Sequence, residues 1–99
     1  MIKISYKKQN LITEVKISGH ANFADYGKDI VCAAVSSIVT TTINNIIALD
    51  KNAISYNADE GDILITNNDS EMAHKLLDNM LRMLSELESS YPKNIKIGG

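Results

Sequence analysis

The sequence predicts an α+β domain in which two helices pack on one mixed or antiparallel sheet, in the order ββ-α-ββ-α-β. Three observations carry that reading. The first eighteen residues alternate apolar and polar, as half-buried strands do. Residues 70–90 repeat apolar side chains at helical spacing. Between these segments lies a long stretch apolar in more than one helical stripe, followed by a second pair of short alternating runs around a glycine. Residues 1–99 read as a single domain, with no repeat, linker or low-complexity segment.

The elements follow in order. Over residues 2–8, Ile2, Ile4 and Tyr6 share one face while Lys3, Ser5 and Lys7 share the other. Gln9-Asn10 is a short turn. Over 11–18, Leu11, Val15 and Ile17 are read as in phase, with Glu14, Lys16 and Ser18 opposed, so the two strands form an antiparallel hairpin. Gly19 and Gly27 bracket a polar stretch read as a loop that is mobile until substrate binds. Asp29 is a suitable N-cap for a helix over 29–49. That helix carries Ile30, Val31, Val35, Ile38, Val39, Ile43, Ile46 and Ile47 in more than one stripe, which predicts a central, covered position. Its β-branched residues are weak helix formers, so packing has to hold it. Ile54 and Tyr56, then Ile63 and Ile65, flank a turn containing Gly61. Ser70 caps the second helix, whose stripe is Met72, Leu76, Leu77, Met80, Leu81, Leu84 and Leu87, and Pro92 stops it. Asn94 to Ile97 reads as a last short strand.

Composition narrows the function. Hydrophobic residues make up 44% and charged residues 22%, ordinary for a globular domain. The net charge of −2, with Arg82 the only arginine, argues against phosphate-backbone or guanine recognition, so no nucleic-acid binding is expected. The N-terminus lacks the apolar core of a signal peptide, and no apolar run is read as approaching the roughly 20 residues that cross a bilayer. With one cysteine no internal disulfide forms. A cytoplasmic protein without membrane association is expected. No metal-ligand spacing, phosphate loop or dinucleotide fingerprint is present, so no metal or cofactor is expected.

Chemistry centres on Cys32. With Asp29 as N-cap it is the third helical residue, where backbone N–H groups point outward and the helix dipole favours a thiolate. A helix terminus contributes only about 0.3–1 kcal/mol, so a working nucleophile needs a nearby imidazole. His20, at the end of the second strand, is the candidate base. A lone cysteine in an apolar helix is otherwise a small core residue. Asp29 either caps the helix or orients His20. Ser36, one turn after Cys32, either bonds near the thiol or bonds back to the Cys32 carbonyl. His74, among Glu71, Lys75 and Asp78, reads as a solvated surface residue.

The string Gly19-His20-Ala21, five residues, then Gly27-Lys28-Asp29-Ile30-Val31-Cys32-Ala33-Ala34-Val35-Ser36 resembles the ribosomal-processing cysteine proteases of the Prp family. The resemblance implies a dimeric bacterial endopeptidase that removes a short N-terminal extension from a large-subunit ribosomal protein, cutting after a hydrophobic sequence that ends in phenylalanines. It matches His20 and Cys32 to the family's catalytic pair, Asp29 and Ser36 to supporting residues, and Gly19 and Gly27 to the glycines that give the active-site loop its flexibility. The competing reading is a non-catalytic, ribosome-associated module that clamps a peptide.

Overall fold

In a computed structural model that describes residues 1–19, 30–59 and 61–98, the chain forms β1 (Ile2–Gln9), β2 (Leu11–Ser18), α1 (Ile30–Leu49), β3 (Ile54–Asp59), β4 (Asp62–Asn67), α2 (Glu71–Ser90) and β5 (Ile95–Gly98). The predicted order ββ-α-ββ-α-β holds. The strands make one mixed sheet in the order β3-β4-β2-β1-β5. All neighbours are antiparallel except β1 and β5, which run parallel from Ile2 opposite Ile95 to Ser5 opposite Gly98.

One face of the sheet is covered. Ile2, Ile4, Ile12, Val15, Ile17, Ile65 and Ile95 are buried in a single cluster with Leu77, Met80 and Leu84 of α2 and Val35 and Val39 of α1. Lys3, Ser5, Lys7, Lys16 and Thr66 lie exposed on the other face. The molecule therefore has two layers, sheet and helices, joined by one core.

Three details differ from the sequence expectations. In β2 the buried residue is Ile12, while Leu11 is only half-buried. Lys7 pairs with Glu14 but Lys8 pairs with Ile12, so Thr13 is the extra residue of a bulge that shifts the side-chain phase by one. Thr13 Oγ1 donates to the Lys7 carbonyl at 3.2 Å there.

The second difference concerns α1, which is not covered all round. Its buried residues, Val31, Val35, Val39, Ile43 and Ile46, form one stripe, while Ile30 and Leu49 are 61% and 68% exposed. Third, the helix has no charged residue across its length, and by length and composition alone it qualifies as a membrane span, contrary to the sequence expectation. Serines, threonines and asparagines break up the apolar run without adding charge, and in this fold the valine–isoleucine stripe is core.

The second helix matches its reading closely. Ser70 has an extended backbone, and its side chain accepts the Ala73 N–H at 3.1 Å. Ala73 joins the predicted stripe as a fully buried residue.

Candidate active site

The strand that leads toward His20 ends under restraint. The last β2 residue, Ser18, pairs with Lys3 of β1 and with Asp62 of β4. Beyond it, the Gly19 N–H donates to the Gly61 carbonyl at 3.0 Å. Gly19 has φ +86, a left-handed backbone that L side chains avoid. A Cβ there would also meet the Met1 carbonyl oxygen at 2.5 Å. Glycine is required at this position on both counts. The sequence reading attached loop flexibility to it; the structure adds a conformational and a steric demand.

Cys32 is the third residue of α1, in its first turn, at the positive end of the helix dipole. It is half-buried and packs against the core cluster beside the buried stripe of Val31 and Val35. Ser36 follows one turn later and is also half-buried. His20, Gly27, Asp29 and the loop 21–28 lie outside the described residues. Among the described residues no three His, Cys, Asp or Glu side chains gather as a metal site.

The other histidine is not the solvated residue expected. His74 is half-buried, and its Nδ1 accepts the Ile12 N–H at 3.0 Å. An accepting Nδ1 puts the ring proton of the neutral imidazole on Nε2. Ile12 lies beside the bulge, beyond the stretch of β2 that pairs with β4, and its N–H is bonded to α2 instead of to a strand. Asn67 completes the cluster. Its Nδ2 donates to the carbonyls of Ile12 and Ser70, at 2.9 and 3.0 Å, and its Oδ1 accepts the Ser70 N–H at 2.9 Å. A signal for His74 was present in the sequence, since His74, Leu77 and Leu81 fall on one helical stripe.

His74 and Cys32 belong to opposite ends of the fold. Leu49 is followed by Asp50, whose carbonyl accepts the Ala53 N–H, and the Ala53 carbonyl accepts the Asn68 N–H, so α1 ends near Ser70 and His74. At 1.5 Å per residue, Cys32 lies about 25 Å up the helix axis from Leu49. The imidazole of His74 is thus engaged elsewhere and remote from the thiol.

The chain matches the family model described as "Cysteine protease Prp" over residues 1–96. The chain belongs to the Prp cysteine protease family. It is 34% identical over 102 residues to the ribosomal processing cysteine protease Prp of Staphylococcus aureus, covering 97% of this chain and 94% of that protein. The Bacillus subtilis Prp is 29% identical over 94 residues, covering 87% of this chain and 84% of the relative. The fold matches a crystal structure of the S. aureus Prp with a covalently linked product peptide at a TM-score of 0.89 and 32% identity, covering 99% of this chain and 98% of that one. The protein is a cysteine protease, and this decides between the catalytic reading and the peptide-clamping module.

Proposed function

We propose that Cys32 is the nucleophile of this protease and His20 its general base and acid. One observation carries the proposal: a member of a cysteine protease family has a single cysteine, and that residue lies in the first turn of α1. The base assignment is supported by elimination as well as by motif, because of two histidines His74 is bonded to the backbone of β2.

In the proposed reaction His20 takes the Cys32 thiol proton, and the thiolate attacks the scissile carbonyl carbon. The tetrahedral oxyanion is held by backbone N–H groups at the start of α1. The imidazolium then protonates the leaving amine, the C–N bond breaks, and a thioester joins the N-terminal product to Cys32. Water, deprotonated by His20, hydrolyses the thioester and returns the thiol. Asp29 and Ser36 support this centre, Asp29 as helix cap or as orienter of His20.

The substrate proposed is a short hydrophobic N-terminal extension of a large-subunit ribosomal protein, cleaved in the cytoplasm by a homodimer. It is supported by the S. aureus relative's role in ribosomal processing and by its structure with a substrate peptide. The homodimer is consistent with the outward side of α1, where Ala33, Ser37, Thr40, Thr41, Asn44 and Ala48 are exposed and uncharged.

The test uses a hydrophobic, phenylalanine-ended peptide. Cys32→Ala and His20→Ala are expected to abolish cleavage while retaining wild-type circular dichroism. Cleavage by Cys32→Ala at the wild-type rate refutes the nucleophile assignment.

A further inference from the structure

Gly19 is the point where three chain segments distant in sequence meet. It follows the last residue of the β2 ladder, its N–H is bonded to the Gly61 carbonyl of the β3–β4 turn, and any Cβ placed on it would collide with the carbonyl oxygen of Met1. The regular pairing of β2 stops at Ser18 on both sides. A strand leaving a sheet swivels about its last bonded peptide, so a bond one residue further on restrains the direction in which the chain departs. The next residue in the sequence is His20.

Gly61 itself has φ +77. Its left-handed backbone, within the tight turn between Asp59 and Asp62, aims the carbonyl at Gly19. A β-branched residue does not hold that conformation, so substitution there turns the carbonyl away.

The geometry points to Gly61 as a positioning residue for catalysis: through its carbonyl, the β3–β4 turn sets the course of the backbone that carries the base. The inference rests on the assignment of His20 as base. Gly61 touches no reacting atom and acts only through Gly19. The demand on position is severe, because proton transfer requires heavy atoms about 2.6–3.2 Å apart, and a misplacement of about 1 Å costs on the order of 10²-fold in rate. The role differs from a loop hinge. It calls for a fixed hydrogen bond between two turns rather than for freedom at a glycine.

The experiment compares the full-length wild-type protein with Gly61→Val, Gly61→Ala, Gly61→Asn and His20→Ala. Circular dichroism establishes folding. Two readouts follow: kcat and KM on the phenylalanine-ended peptide, and the rate of Cys32 alkylation by iodoacetamide as a function of pH. An imidazole that accepts the thiol proton keeps alkylation fast at about pH 6, a signature that loss of stability alone does not move. Gly61→Val is expected to lower kcat by about tenfold or more with little change in KM, and to bring the alkylation profile to that of His20→Ala. Gly61→Asn tolerates the left-handed backbone and so keeps the main-chain carbonyl directed at Gly19; it is expected to recover most of both.

If Gly61→Val does not fold, Gly61→Ala is judged by the same criteria. A folded Gly61→Val or Gly61→Ala with the wild-type alkylation profile and kcat overturns the positioning role. An equal loss in Gly61→Asn and Gly61→Val overturns it too. A wild-type alkylation profile in His20→Ala overturns the base assignment instead, and the positioning role falls with it.

Discussion

Replacing Gly19 with alanine should destabilise the whole domain, by an amount that the structure bounds. Two independent terms contribute. An L residue forced to φ +86 loses about 1–2 kcal/mol relative to glycine. A Cβ 2.5 Å from the Met1 carbonyl oxygen is far inside van der Waals contact, and the atom it meets belongs to backbone that is tied into β1. Such overpacking costs about 1–3 kcal/mol. The sum, about 2–5 kcal/mol, is a large part of the 5–15 kcal/mol typical of a domain this size, roughly. Each kcal/mol lowers Tm by about 4–8 °C in a chain of this length, so a loss of at least about 8 °C is expected. Urea denaturation followed by circular dichroism measures the free energy, and a thermal scan measures Tm. Gly19→Asn separates the two terms, because asparagine relieves most of the backbone penalty but keeps the Cβ; its loss should be intermediate. A change in Gly19→Ala within about 0.5 kcal/mol of wild type, the range of ordinary surface substitutions, would refute the argument.

The other predictions concern the polar cluster at the far end of β2. Asn67 is 9% exposed and makes three hydrogen bonds to backbone, so Asn67→Ala should cost about 2–4 kcal/mol by urea titration. Asn67→Asp should cost more, since it places a carboxylate oxygen where an amide donated to the carbonyls of Ile12 and Ser70. His74→Leu leaves the Ile12 N–H without its acceptor and should cost about 1–3 kcal/mol. Hydrogen exchange at the Ile12 amide should quicken in this variant, while kcat/KM of the folded protein stays at the wild-type value. A tenfold fall in kcat/KM for folded His74→Leu would contradict the separation of His74 from the catalytic centre.

Much of the fold was legible because its signals are local. The stripe from Met72 to Leu87 and the Ser70 cap lie within single turns of one another, so α2 could be bounded to within a residue. The hairpins follow from alternation and from turn residues such as Asn10, which holds φ +69 between Gln9 and Leu11. The place of Cys32 in the first turn of α1 is equally local, since the break before the helix and the following apolar spacing locate the turn. The string from Gly19 to Ser36 is a sequence property outright, and it points to the protease family by itself.

Other features depend on which surfaces meet. Periodicity showed apolar residues around much of α1, but only contact with α2 and the sheet selected the stripe from Val31 to Ile46 for burial. The bulge at Thr13 is invisible in β2 alone, because a bulge is a mismatch between two strands. His74 is a backbone acceptor for a residue 62 positions away, a contact no local pattern announces. The parallel pairing of β5 with β1 likewise joins the two ends of the chain. At the site, glycine at position 19 is dictated by the approach of Met1 and by a bond from Gly61, neither adjacent in sequence. Residue type and spacing thus determined the elements and the chemistry on offer, since these depend on neighbours three or four residues apart. Tertiary structure decided phase, burial and restraint, because those come from backbone groups and side chains that only the packed chain brings together.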